Sequence, residues 1–452
     1  MNATRATQRL RVTVGDRQVA SLAGLHLLGS LADTQGLAAG FSAAVPPAGE
    51  RAPGHDRGRL LVQVAVMLAG GGRCVADLAA LRDQPALFGE VASASTAWRA
   101  LDRVDAGVLD ALRSARADAR SRAWAAGAAP SGPMVLDVDA TLVEVHSENK
   151  EQAASHFKGG YGFHPMFCFA DDGQALAGAL RRGNAAANSG ADQLAVVDLA
   201  IAQLPDAYRR GHHPGDPATA VEHPVLVRAD SAGAVRAFID GLVARNCAFS
   251  VSARTSDTLD RAIMALRPGD WHPAQRVEPA ARRRRAQVAE LDVTLAGWPA
   301  GTRAIVRRER PHPGAQLRLW DHNGWRHQVI LTNTAGDPAV LEARHRRHAQ
   351  VENRIKNLKA CGLERMPFTS FTANAAWMEM TLVAADLLAW LQALCLDGDL
   401  ARAEPRTLRY RLLHVAGRIT RAGRSTWLRL PAHWPWANEA HAAYERLAHI
   451  GA

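Results

Sequence analysis

Four carboxylates in this chain sit where they could do work. Asp137 and Asp139 lie two apart in the alternating run MVLDVDATLVEVH, so on a strand their side chains share one face. Asp230 closes the short apolar run VLVRAD, at the carboxyl end where α/β folds place functional groups. Glu352 precedes Lys356 by one helical turn and Lys359 by two in VENRIKNLK, which lines an acid and two ammonium groups along one stripe. A strand Asp, a strand-end Asp and a helix Glu are the ingredients of a two-metal phosphodiester site. Mg2+ takes a few carboxylates and fills its shell with water and phosphate oxygens. Two such ions can activate the attacking oxygen and stabilise the leaving one. Singly, each residue has a plainer reading as a cap Asp or a solvated Glu; the combination carries the argument.

Positioning these groups requires an α/β core. The turn APSGP at 129–133 marks a boundary, and strands are expected over MVLDVDATLVEVH, over Phe163–Ala170 and from Ala175 to Arg182. A helix over Ala187–Leu204 comes next, then the strand at 225–230, a helix over Ala232–Arg245 and a strand over Ala248–Ala253. Between about Trp271 and Asn333 the helical period is lost, and VAELDVTLAG, TRAIVRRER, QLRLW and RHQVILTN read as a mostly antiparallel β insertion. Arginines at 282–285, 307, 308 and 310 suit either phosphate contact or a solvated face. A long helix is expected from Pro338 to the stop at Gly362, and a buried one over Ala375–Leu396.

Upstream, Leu22, Leu25, Leu28 and Leu31 recur at near-helical spacing. Ser95 or Thr96 can cap a helix bearing Trp98, Arg99, Leu101 and Arg103. Two short helices of this kind suit a helix-turn-helix reader of DNA, as they suit any small bundle. The expected layout is a helical DNA-binding domain at 1–130, a core at 131–270 and 335–398, a β-rich insertion at 271–334, and a basic, Arg-rich tail at 399–452, with the C-terminal region helical.

Composition sets bounds. The chain has 452 residues, 48% of them hydrophobic and 22% charged, which is globular and excludes a largely disordered protein. A net charge of +10 and a pI near 10.0 favour a polyanionic partner. The longest apolar run, near Trp377–Leu396, is interrupted by Glu379 and Asp386, so no membrane partner is expected. No compact apolar segment near the N-terminus reads as a secretory signal. Five scattered cysteines without a CxxC pair argue for reduced thiols, a cytoplasmic setting and no zinc knuckle. Only four of the 54 basic residues are lysine, and all four lie near the acidic segments: Lys150, Lys158, Lys356 and Lys359. Arg cannot simply replace a compact ammonium, so this clustering is a pointer.

The motifs LDVDATLVEVHSENKEQA, GGYGFHPMFCFAD, LRRGNAAANSGA, VLVRADSAGA and VENRIKNLK, in this order over about 134–362, resemble the DDE transposases of bacterial insertion sequences. The likeness is to the group 1 branch, in which an RNase H-like core is interrupted by a β-rich insertion before the catalytic Glu. LRDQPALFGEVASASTAWRALD and LRYRLLHVAGRITRAGRSTWLRL are similar to that branch too.

The resemblance implies Asp139, two before Thr141, as the first metal ligand, Asp230 as the second and Glu352 as the third, with Asp137 as runner-up or neighbour. It implies two divalent ions, Mg2+ with Mn2+ as a substitute, and Lys359 at a phosphate. The family signature has Tyr seven and Arg four residues before the Glu; this chain has His345 and His348 there. That departure puts hairpin-type handling of the second strand in doubt, while either imidazole could bind phosphate when protonated. Lys356, Lys150, Lys158, Tyr161, His164, Arg181 and Asn184 are further candidates for DNA contact.

The implied function is a cytoplasmic, Mg2+-dependent transposase. It would bind terminal inverted repeats of double-stranded DNA, hydrolyse the phosphodiester at the element's end, and attack target DNA with the freed 3′-hydroxyl, as a homodimer on DNA. The rivals are a metal-dependent nuclease without strand transfer, a DNA-binding descendant that has lost catalysis, and a basic scaffold protein.

Overall fold

The computed structural model describes residues 18–45, 54–254, 256–275, 286–311, 314 and 321–450. The arginine run at 282–285 and QLRLW at 316–320 lie outside the described residues.

Strands rich in Val, Leu, Phe and Ala, apolar on both faces, build the centre of the molecule. They are β1 (Met134–Ala140), β2 (Met166–Ala170), β3 (Ala175–Ala179), β4 (Val225–Ala229) and β5 (Ala248–Ser252). The strands of the 271–334 region are β6 (His272–Pro273), β7 (Gln287–Leu291), β8 (Arg303–Glu309) and β9 (Arg326–Thr332). All of these form one mixed sheet in the order β6-β7-β8-β9-β5-β4-β1-β2-β3. The β1–β4 and β4–β5 pairs are parallel, and the others are antiparallel. The insertion is therefore antiparallel within itself, yet it extends the core sheet: β9 pairs with β5 through Leu331 and Val251. A small separate apolar cluster packs its strands, through Val288, Ile305 and Ile330, against Ala339 and Leu341 of the helix Pro338–Arg346.

Several elements are shorter than their sequence pattern suggested. The run 134–146 breaks after Ala140, and Val143–Glu144 joins a small separate sheet with Ala154–Ser155 and Tyr161–Phe163. Gly183 seals that sheet's edge; a Cβ there would stand 2.2 Å from the Ala154 carbonyl oxygen and 2.3 Å from that of Gly162.

The N-terminal helices are α1 (Leu25–Thr34), α2 (Leu37–Ala44), α3 (Arg57–Ala69), α4 (Ala94–Asp102) and α5 (Ala106–Ala123). Ser93, rather than Ser95 or Thr96, caps α4 by accepting from the Thr96 N–H. Further along come α6 (Gly190–Ala202), α7 (Arg236–Val243), α8 (Pro338–Arg346), α9 (Val351–Leu358), α10 (Phe371–Cys395) and α11 (Ala437–Ile450). By length and composition α10 is apolar enough to cross a membrane, but 72% of its most apolar stretch is buried inside the molecule. Helices α1 and α3 and strand β3 pack around it.

Two acids on α10 explain how a charged helix stays buried. Glu379 accepts from Arg116 at 2.9 Å and Asp386 accepts from the same guanidinium at 2.7 Å, both arginine and acids lying on packed helices α5 and α10. Arg120 joins Asp386 and reaches Gln203, which caps the C-terminus of α6, at 2.6 Å. An unpaired charge would be prohibitive here, so the arginines of α5 are bound to this helix. One continuous apolar cluster consequently runs from Leu25 to Leu447.

The helix expected from Pro338 to Gly362 is divided. Arg347–Gln350 tightens into a 3-10 turn between α8 and α9, and Lys359–Leu363 closes as a wider π turn ending at Gly362, φ 104°. The C-terminal region is not wholly helical either. Its Arg-rich stretch folds into a hairpin, β10 (Gly417–Ala422) with β11 (Ser425–Arg429), which adds to Val19–Ala20.

Candidate active site

Strands β1 and β4 run parallel and in register, Asp137 beside Arg228 and Val138 beside Ala229. One residue further, Asp139 and Asp230 stand at the carboxyl ends of adjacent strands. Asp139 is half-buried and its Oδ1 accepts the Ala140 N–H at 2.7 Å. Burial and the nearby charges of Asp230 and Glu352 push its carboxyl up to about 6, against the pull of the Ala140 N–H and His348. Asp230 is exposed and accepts the Ala232 N–H at 2.8 Å, capping the turn Ser231–Gly233. Glu352 is exposed in the first turn of α9.

These three acids thus share one electrostatic neighbourhood. Among the described residues no three His, Cys, Asp or Glu side chains stand close enough to hold a metal ion as they are. A closed cage is not what Mg2+ needs, since it keeps several waters and takes one or two carboxylates plus phosphate. A carboxyl raised by burial and by two nearby acids is a donor set short of positive charge. In chemical type, the set fits a divalent cation.

Asp137, two residues back on the same face, has the opposite surroundings. It is fully buried. Arg228 grips it with both ends of its guanidinium, at 2.8 and 2.7 Å. Arg354 of α9 donates at 2.6 Å, and His348 Nδ1 donates at 2.9 Å. Burial would raise this carboxyl, but these donors hold it well below the usual carboxylate range. All its lone pairs are committed, so Asp137 anchors the site and is not an open ligand. The knot extends further: Arg228 also bonds Asp171 and, at 2.6 Å, the Arg344 carbonyl, and Arg354 bonds the Asp171 carbonyl at 2.6 Å. It ties α8, the 3-10 turn and α9 to β1 and β4, and so fixes where Glu352 stands relative to Asp139. The 3-10 turn places His348 on Asp137.

The other residues singled out from the sequence separate clearly. His345 is buried between Ser250 and Ser252, at 2.9 and 3.0 Å, and burial pushes it down to about 3. Both ring nitrogens face serine hydroxyls and burial disfavours the imidazolium, surroundings that do not suit the phosphate contact expected of it. Lys359 is half-buried and donates to the Leu142 carbonyl at 3.1 Å; burial and then Lys158 lower its pKa. Lys158 lies over the ring of Phe157, which is 78% exposed. Lys356 pairs with Glu404 at 3.0 Å, away from the acids. Lys150 donates to the Met366 and Phe368 carbonyls, the latter at 2.8 Å, fastening its loop.

Tyr161 donates to the Ala153 carbonyl at 2.9 Å and His164 bonds the Ala185 carbonyl at 2.7 Å. Arg181 holds the His164 carbonyl and Asp192, while Asn184 is exposed on that loop. Trp98 packs on Phe368 with ring centroids 4.1 Å apart, and Arg99 and Arg103 are exposed on or beside α4. Arg307 is buried against Glu309 and Glu342, and Arg308 lies between Trp271 and Trp325, so neither is a free cation for phosphate.

Sequence reasoning missed Arg228, Arg354 and Asp171. A signal existed for the first: an Arg inside the apolar run VLVRAD has to be buried with an acid. Beside Asp230 and His348 lies a cleft of about 570 Å³ lined by Ser231, Arg254, Arg307 and Arg346.

The chain was compared with known proteins. The family model described as transposase DDE domain group 1 matches residues 2–452. No curated protein matches the chain.

Proposed function

The chain belongs to the group 1 DDE transposase family, and from that premise we propose that it cuts the ends of a mobile element and joins them to target DNA. Transposase function follows from the family; the residue roles and steps below are our reading. Asp139, Asp230 and Glu352 would hold two divalent ions, Mg2+ or Mn2+. Such ions, when bound, polarise the scissile phosphodiester and neutralise the charge that develops on both flanking oxygens. The protein's residues supply position. The Asp137 knot fixes Asp139 and α9, and Lys359 beside Leu142 offers an ammonium to a neighbouring phosphate. The fold is read as an RNase H-like core with a β extension, and the N-terminal helices, α4 with Arg99 and Arg103, as the reader of terminal repeats on double-stranded DNA. Joining two ends calls for a homodimer on DNA.

One observation carries this reading: Asp139 and Asp230 stand at the carboxyl ends of adjacent parallel strands, and the charge of Glu352, from a distant helix, bears on Asp139 as well. The test uses a duplex made from the genomic flanks of the reading frame, with Mg2+ or Mn2+. Cleavage at a flank followed by joining of a precut 3′ end to plasmid is expected. Cleavage without joining would reduce the protein to a nuclease; specific end binding without cleavage would leave a DNA-binding descendant.

A further inference from the structure

The C-terminal hairpin is not explained by the catalytic site. Between Gly417 and Leu430 the sequence carries Arg418, Arg421, Arg424 and Arg429 and no acid. The hairpin forms because Ile419 pairs with Leu428 at its root and Gly423, φ 60°, supplies the tight two-residue turn with Arg424. Ile419 and Leu428 are half-buried, and the strands add to Val19–Ala20 there. Beyond the root, every residue from Arg421 to Trp427 is exposed, on both faces. Among the described residues, nothing covers the distal half of this ribbon.

Such a ribbon is costly by itself. A lone two-stranded hairpin is marginal in water. Here Arg418 also faces Arg429 directly across the strands, and like charges in that position repel. Trp427 is 55% exposed on the same face, next to Thr420, whose hydroxyl accepts from Arg429 at 3.1 Å. Cationic side chains on both faces, with an aromatic among them, form a surface whose partner supplies negative charge from two sides at once.

The root is also rigidly placed. Arg409 donates to the Ala69 carbonyl at 2.7 Å and to the Ala360 carbonyl at 3.0 Å, and His414 bonds the Gly70 carbonyl at 2.8 Å. Ala360 belongs to the π turn that ends the helix carrying Glu352. The segment leading into the ribbon is therefore tied to the turn that follows the helix carrying Glu352.

We infer that this ribbon is a second DNA-binding surface, which enters the major groove of duplex DNA with Arg421, Arg424 and Arg429 on the flanking phosphates. The major groove, about 12 Å wide, admits a two-stranded ribbon, and its two phosphate walls supply charge from both sides. The inference rests on the transposase reading and adds a contact separate from the N-terminal helices.

The test compares wild type with R421A/R424A/R429A, with the corresponding triple lysine variant, and with W427A. Each is titrated onto a labelled duplex carrying the genomic flanks at several salt concentrations, with circular dichroism and thermal unfolding as fold controls. The triple alanine variant should bind at least about tenfold more weakly, with a salt slope smaller by about three, roughly one per phosphate contact. The triple lysine variant should keep the wild-type slope, and W427A should weaken binding with the slope unchanged. Wild-type affinity and slope in the triple alanine variant, with wild type still cleaving the duplex, would overturn the ribbon and leave the transposase reading intact. A loss confined to single-stranded DNA, or one confined to self-association, would overturn it equally. Failure of the wild type to bind duplex at all would remove both.

Discussion

Asp137 and Asp139 are two residues apart on one face of one strand, and their surroundings are inverted. The first is sealed by Arg228, Arg354 and His348 and driven down. The second meets two more acids and is driven up to about 6. Burial penalises both carboxylates, so the difference comes from what each one faces. A carboxylate given every donor it can use is a fastener, whereas one left beside like charge is, on the proposed reading, a place for a cation. Here the fastener lies directly behind the open site and determines its shape.

The comparison breaks most easily on activity. Asp139→Asn should lower end cleavage by more than about a thousandfold, as expected when the groups that stabilise charge at the reacting phosphate are lost, and Asp230→Ala should match it while end binding persists. Cleavage assays decide this; full Mg2+-dependent cleavage by the Asp139 variant would transfer the role elsewhere.

Stability should show the reverse order. Asp137→Asn leaves buried guanidiniums without their carboxylate and should cost about 3–5 kcal/mol in chemical denaturation. A loss under about 1 kcal/mol would mean that the knot is not what holds α9 in place.

Asp139 should behave as a destabilising charge in metal-free protein. Its folded pKa lies above its unfolded value of about 3.8. As pH rises between these values the unfolded chain gives up its proton first, so the folded state loses stability. Asp139→Asn should therefore be more stable than wild type at pH 7, by roughly 1–3 kcal/mol, and the two should converge below about pH 4. Thermal unfolding across this range checks the sign.

A comparable effect, of opposite pH sense, concerns His345, held down to about 3. Protons bind the unfolded chain first as pH falls below about 6.5, so this ring makes the fold acid-sensitive. His345→Gln should flatten the fall in stability between about pH 6 and 4 by up to about 1.4 kcal/mol per pH unit.

Much of this arrangement was legible in the residues. Alternation marked β1, the apolar run marked β4, and a strand-end Asp beside a strand Asp foretold their meeting once the strands were parallel. What could not be read was pairing at a distance. Nothing local in TRAIVRRER says that its sheet continues into the core through β9, because edge pairing depends on which strand lies next to β5. Equally, DVDAT offers two acids with identical periodicity; only the guanidiniums of Arg228 and Arg354, 91 and 217 residues away, distinguish them. His345 and His348 looked alike for the same reason, and the 3-10 turn between α8 and α9 sends one between two serines and the other to Asp137. The hairpin at 417–429 was hidden by its arginines, which look like a tail until Gly423 turns the chain back.

Mn2+ binding measured by electron paramagnetic resonance, in the presence of a flank duplex, decides whether these three acids seat the metal. Wild type should take up Mn2+, and Asp139→Asn, Asp230→Asn and Glu352→Gln should each lose most of it, with Lys356→Met unaffected. Undiminished Mn2+ uptake in all three acid variants would contradict the assignment of these carboxylates as the seat of the metal.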